Sequence, residues 1–245
     1  MRPAAVRIIA VSALFAIAVF ACAKRPASPG LLGKAEGVKM SHEARTFRGL
    51  AYITAEKGGV KWANPVSVVI RQPGGLRMEA IEKITDVVAR LVVLNGKGHL
   101  YLPLEDKTYP IENGNLRLPQ IGEMNISTDV FTDILSGVPI VEGGATVTEA
   151  FHTDRGSYFI RGRVDEMEMS AKEGMPLVFT HFSSPDKKKV VFEASFDDFK
   201  EFGGRKFPQH IVVRFMHPKL LMEIRYKDIN VHTPVPLSLF ETNEE

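Results

Sequence analysis

The sequence predicts a mainly β protein with a few helices, of the α+β class. Its expected form is a curved antiparallel sheet, an unclosed half-barrel of about eleven strands under a helical lid. Three observations predict it. Apolar residues alternate with period two over most of the chain, the mark of strands with one wet and one dry face. Gly, Pro and Asn turn signals interrupt that alternation at short intervals. One amphipathic segment breaks the pattern and supplies a helix for the mouth of the curve.

The folded part does not start at Met1. Met1–Ala21 opens with Arg2 and Arg7 and continues as the apolar run Ile8–Ala21. About fourteen residues is short of the ~20 a bilayer span requires and fits the core of a secretory signal. The run ends at Val19-Phe20-Ala21-Cys22, and Cys22 is the single cysteine. This resembles the bacterial lipobox, although Phe20 is bulkier than the usual occupant. The resemblance implies cleavage before Cys22, a lipid on its sulfur and a membrane anchor through that lipid. Ala23 stands where enteric bacteria commonly place the Asp of inner-membrane retention, so the resemblance implies the outer membrane. Residues 22–41, with Pro26, Pro29, Gly30, Gly33 and Gly37, read as the lipidated N-terminus and a flexible tether. Residues 42–245 form the expected domain, with no disulfide to support it.

Charge narrows the function. The chain has 31 Lys plus Arg and 29 Asp plus Glu, and both leader arginines precede any acid. The remainder is formally neutral, which removes the main support for nucleic-acid binding.

Strands follow in order. Phe47–Thr54 places Phe47, Gly49, Ala51 and Ile53 on one face. After Lys57-Gly58-Gly59, Val60–Arg71 sets Val60, Trp62, Val66, Val68 and Ile70 on one side, with Pro65 marking an edge or bulge. Leu76–Ala80 alternates after Pro73-Gly74-Gly75, and Ala89–Leu94 joins His99–Leu104 across Asn95-Gly96. Lys107–Ile111 adds a short strand. Ser127 or Thr128 caps a helix over Asp129–Leu135, which Gly137 and Pro139 stop. Ser157–Arg163, Glu166–Ala171, Pro176–Ser183, Lys189–Phe196, Phe207–His217 and Leu220–Val231 complete the set.

No catalytic signature emerges. The seven histidines form no close zinc-type pair, and there is no His-Glu-x-x-His, nucleophile elbow or phosphate-binding glycine loop. Alternation puts Glu166 and Glu168 on one exposed face, and Lys187-Lys188-Lys189 reads as a solvated turn tip. No enzyme activity, cofactor or metal is expected.

The layout, with Phe47-Arg48-Gly49-Leu50-Ala51, Pro73–Glu79, Leu100-Tyr101-Leu102-Pro103, Phe207–Ile211 and the close Val235–Phe240, resembles the lipoprotein-localisation family of LolA-like carriers and LolB-like receptors. The resemblance covers nearly all of the mature domain. It implies an apolar cavity for acyl chains of other lipoproteins, a periplasmic LolA-like carrier as partner and insertion into the outer membrane. A lipid on Cys22 makes the chain more similar to the anchored receptor. By position, the receptor's projecting loop corresponds to Ile81–Val88, with Ile81, Ile84, Val87 and Val88 as membrane or delivery candidates; core packing is the other reading. Cavity candidates are Leu50, Trp62, Val68, Met78, Leu91, Val93, Phe131, Phe179, Phe192, Phe215 and Met222, although residues of this kind are more often plain core than ligand wall. Two alternatives stay open: another envelope lipid or glycolipid as cargo, and a filled half-barrel that binds only protein in an envelope complex.

Overall fold

The computed structural model describes residues 46–82, 86–112, 114–118, 122–139, 141, 149–152, 157–170, 172–231 and 233–241. The expected leader, Cys22 and the expected tether lie outside them. Six strands open the domain: β1 (Thr46–Lys57), β2 (Val60–Arg71), β3 (Gly75–Ile81), β4 (Val87–Leu94), β5 (Lys97–Leu102) and β6 (Lys107–Ile111). A hairpin of β7 (Asn115–Leu118) and β8 (Gly122–Ser127) leads into helix α1 (Thr128–Leu135). The second arm holds β9 (Glu149–His152), β10 (Ser157–Arg161), β11 (Asp165–Ser170), β12 (Pro176–Phe182), β13 (Val190–Phe202), β14 (Arg205–Phe215) and β15 (Leu220–Val231).

Thirteen strands form one curved sheet in the order β6-β5-β4-β3-β2-β1-β15-β14-β13-β12-β11-β10-β9, while β7 and β8 pair apart from it. Every pairing is antiparallel. Among the described residues β6 and β9 are the edges and do not meet, so the half-barrel is unclosed as expected. The strand count exceeds the expected eleven, with β7, β8 and β9 among the additions; Leu116 and Leu118 alternate in β7 and Met124 and Ile126 in β8, but each offers only two apolar residues.

The concave face carries the core. Phe47, Ala51 and Ile53 of β1 lie beside Ile70, Val68 and Val66 of β2 and beside Ile224 and Ile229 of β15, all buried. From β15 the face continues through Ile211, Val213 and Phe215, then Ala194 and Phe192, to Phe179, Met167 and Ile160. Helix α1 lies on it with Val130, Phe131, Ile134 and Leu135 buried in the same cluster, joined by Leu116, Met124 and Ile126 of the hairpin.

Capping explains where α1 begins and stops. Ser127 is the N-cap, its hydroxyl accepting from the Val130 N–H at 3.2 Å. Gly137, at φ +70°, ends it in the left-handed region, and a Cβ there would lie 2.4 Å from Pro208 Cδ. Two long-range bonds fix the C-terminal turn. The Tyr226 hydroxyl donates to the Leu135 carbonyl at 2.8 Å, and the Gln72 amide donates to Asp133 at 2.8 Å. Burial among apolar groups pushes the Tyr226 phenol far above its ordinary range, so it is a donor at every physiological pH.

On the convex side the C-terminal segment doubles back. Val235 and Phe240 cover Val69, Val92 and Leu94, and Arg71 and Arg77 donate to the Val235 and Leu239 carbonyls. Glu79 bridges Arg77 at 2.8 Å and Arg90 at 2.7 Å. Burial alone would raise the Glu79 carboxyl, but the two guanidiniums outweigh it and hold the pKa below the ordinary value.

Three outcomes are expected in urea unfolding. Tyr226→Phe leaves the Leu135 carbonyl unpaired and costs about 1–2 kcal/mol. Gly137→Ala costs about 2 kcal/mol or more, through the left-handed φ and the Pro208 contact together. The Glu79 contribution is present in full above the unfolded glutamate pKa and is lost as pH falls through the folded value. The gap between wild type and Glu79→Gln therefore narrows from neutral pH to about pH 3.

Candidate functional site

The concave face beneath α1 is the candidate site. Register decides which side chains reach it. Val68 pairs with Gly49 and Met78, Met78 with Leu91, and Leu76 with Val93, which makes one transverse band across β1–β4. Across the seam, Phe179 follows Ala194 and Val213, and Phe192 follows Phe215 and Leu220. Of the sequence candidates, Val68, Leu91, Val93, Phe179, Phe192, Phe215 and Met222 are buried on this face, and Phe131 meets them from α1. Met78 is half-buried against the same cluster.

Trp62 pairs with Ala55, so it belongs to the concave side, but it sits beside the turn of the β1–β2 hairpin and is 39% exposed near Val60 at 74%. It is a rim residue. Leu50 is corrected outright: it is 41% exposed on the convex face, opposite Ser67 and Asp228. Its neighbour Gly49 takes the inner position. A Cβ on Gly49 would lie 2.7 Å from Tyr226 Cε1, so the missing side chain is what admits the Tyr226 ring. The inner surface there is aromatic, with Phe47 and Tyr226 edge to face at 5.4 Å between centroids.

The delivery candidates divide. Ile81 is the last residue of β3 and Val87 the first of β4, paired with each other at a register shift. Val88 packs on the core cluster, so it is no loop tip. The connection itself is shorter than the expected Ile81–Val88, and Ile84 lies outside the described residues.

Polar pairs missed in the sequence lie on both faces, with Asp165 and His181 at the end of the concave one. Asp165 is fully buried, within 2.6 Å of His181 Nδ1, and the imidazole stacks on Phe192 at 5.2 Å. Glu166 and Glu168 point the other way, as alternation requires, yet they are half-buried rather than free: Glu166 binds Arg161 and Lys187, and Glu168 accepts from Ser157. His210 lies between Asp197 and Glu223, at 2.8 Å from each. The one sequence signal for the buried pair was Asp165 falling in phase with Met167 and Met169 on the inner side. Among the described residues no three His, Cys, Asp or Glu side chains converge as metal ligands.

An apolar concave face, a covering helix and an unclosed sheet define a class: the LolA/LolB-like half-barrel. Three solved structures share it. A DUF1329 family protein from Desulfovibrio piger superposes with TM-score 0.61 at 10% identity, over 86% of this chain and 95% of that one. An outer membrane lipoprotein-sorting protein domain from Vibrio parahaemolyticus gives 0.56 at 12% identity, over 85% and 95%. A LolA superfamily protein from Nitrosomonas europaea gives 0.55 at 11% identity, over 87% and 97%. No protein-family model matches the sequence, and neither does any curated protein. At such identities the likeness establishes the fold.

The assignment of faces is open to measurement. Phe192→Ala is expected to cost about 3–5 kcal/mol in chemical unfolding. Leu50→Ala should stay within about 0.5 kcal/mol of wild type. Equal costs would mean that the face assignment is wrong.

Proposed function

We propose that the protein is an envelope lipoprotein-binding module of the LolB-like receptor type, anchored through lipid on Cys22. It receives acyl chains of other lipoproteins on the concave face and passes them to the outer membrane. The observation that carries this reading is the continuous apolar lining of an unclosed sheet, covered by an element that is not part of the sheet. Acyl chains are costly to expose, at ~0.8 kcal/mol per methylene or on the order of 10 kcal/mol per chain. A chain that replaces α1 on this face keeps the apolar surface covered throughout the exchange. Release then requires only that the bilayer hold the chain better than the face does, so no catalytic group enters.

The lid is attached in a way that suits displacement. Its polar ties to the sheet, Tyr226 to Leu135 and Gln72 to Asp133, cluster at the C-terminal turn. Its N-terminus continues into the separate β7–β8 hairpin. At the other end of the strands, Val60 and Trp62 join Ile81 and Val87 as apolar groups on the rim where cargo would leave. A tether from Cys22 to Thr46 reaches about 80 Å when extended, enough for either end of a strand ~40 Å long to approach the anchoring bilayer.

A second reading has its own observation. Leu50 and Trp62 apart, the candidate cavity residues share one core cluster with α1 and the hairpin, as in a half-barrel filled by its own chain that serves a protein partner. Mass spectrometry of lipid retained by the purified protein separates the two.

The direct test offers a periplasmic LolA-like carrier, loaded with a labelled lipoprotein, to this protein produced from Ala23 onward. The label is expected to move to it in solution, and Trp62→Glu to slow onward passage to vesicles. No movement from a competent carrier to the folded domain overturns the receptor reading and leaves another envelope lipid or a protein partner.

A further inference from the structure

The β10–β11 and β12–β13 connections meet at one end of the sheet around an open pocket of about 640 Å³, lined by Arg161, Arg163, Glu166, Phe182, Asp186 and Lys187 among others. We propose that this pocket binds a phosphate-type oxyanion, borne by a lipid headgroup or free. The site lies apart from the concave face and does not depend on the reading above.

Lys187 is the first reason. A lysine in a turn extends into water unless something holds it, and its neighbour Lys188 does so with 83% of its side chain exposed. Lys187 adopts φ +53°, a left-handed conformation unusual for a residue with a long side chain. Its side chain is only 15% exposed. The ammonium lies 5.6 Å from the centre of the Phe182 ring and donates to the Asp165 carbonyl at 3.1 Å and to Glu166 at 3.4 Å. The expected solvated tip is thus corrected at this residue: a cation is drawn inward and kept there. Its desolvation lowers the pKa from the ordinary lysine value, a strain that an incoming anion relieves.

The charge balance is the second reason. Glu166 is shared by two cations, Arg161 and Lys187, which it orients side by side. Asp186, the other carboxylate on the wall, is taken up by the Ser184 hydroxyl and by Lys188 at 3.3 Å. Arg163 stands exposed at the pocket and makes no ion pair with a described residue. Three cations on two separate loops and a strand therefore face Glu166, which two of them share, and Asp186, which Ser184 and Lys188 engage, while the buried Asp165 carboxylate behind Lys187 is held by His181. A phosphate group offers several acceptor oxygens to donors that converge from different directions, and guanidinium forks match it in plane. Phe182 and Pro185 give the wall an apolar portion beside the charge.

Isothermal titration of the full chain in neutral detergent tests this with two probes, inorganic phosphate and soluble dihexanoyl phosphatidic acid. Binding is expected to weaken about tenfold in Arg163→Ser and in Lys187→Gln, and to persist in Lys187→Arg. Loss with both probes assigns the shared phosphate chemistry. Loss with the lipid alone assigns a headgroup, and loss with phosphate alone assigns a free anion. No binding of either probe overturns the proposal, as does binding that the folded variants retain. Unchanged thermal unfolding certifies the variants, and Arg163→Ser, an exposed position, suffices if Lys187→Gln does not fold.

Discussion

An antiparallel sheet with one apolar face must cover that face, and a sheet that does not close on itself cannot supply the cover from its own far edge. This constraint governs the rest of the molecule. It explains why α1 has Val130, Phe131, Ile134 and Leu135 on one stripe, and why a separate hairpin contributes Leu116, Met124 and Ile126 to the same cluster. It also explains a hydrogen bond that crosses from the middle of the sheet to the end of the helix, because Tyr226 stands where β15 passes under Leu135. The cover is made of the same kind of surface as the face it protects. A hydrocarbon chain could occupy that place on nearly equal terms, and such interchangeability is the physical content of a lipid-carrier reading.

The convex face is organised by the opposite rule. Its charges occur in cross-strand sets, Arg77–Glu79–Arg90 on one arm and His210 between Asp197 and Glu223 on the other. A formally neutral domain thus presents paired charge rather than a field, with the Lys187 pocket as a local exception.

Much of this was legible because alternation is robust where strands are long. Leu220–Val231 is recovered residue for residue, and of the two caps open for the helix, Ser127 and Thr128, Ser127 is the one used. The hairpin β7–β8 and β9 were not, since the two apolar alternates of β7, Leu116 and Leu118, and of β8, Met124 and Ile126, lie among turn-forming residues and read equally well as loop. β13 runs on to Phe202, past the expected end at Phe196, because Asp198 takes φ +51° and resets the alternation midway. At the site, periodicity sorts residues into two faces without saying how much space each has. Leu50 is out of phase with Phe47, Ala51 and Ile53, so its being apolar does not bring it to the lining, and the inner position belongs to Gly49, whose value lies in the ring it lets in. Asp165 shows the same limit, since a carboxylate reads as surface until its histidine is known to stand opposite.

The sheet order carries a consequence for how the molecule comes into being. Each arm is a run of sequential neighbours, but the arms join through β1 and β15, which pair Phe47 with Val231. The central seam therefore unites the first strand of the domain with the last, and long loop closure makes such pairings slow to form. Until β15 arrives, β1 has an open edge and the apolar surfaces of both arms are exposed to whatever else is present. Completion of the seam is therefore the step at which the two arms become one sheet and their apolar surfaces come under a common cover.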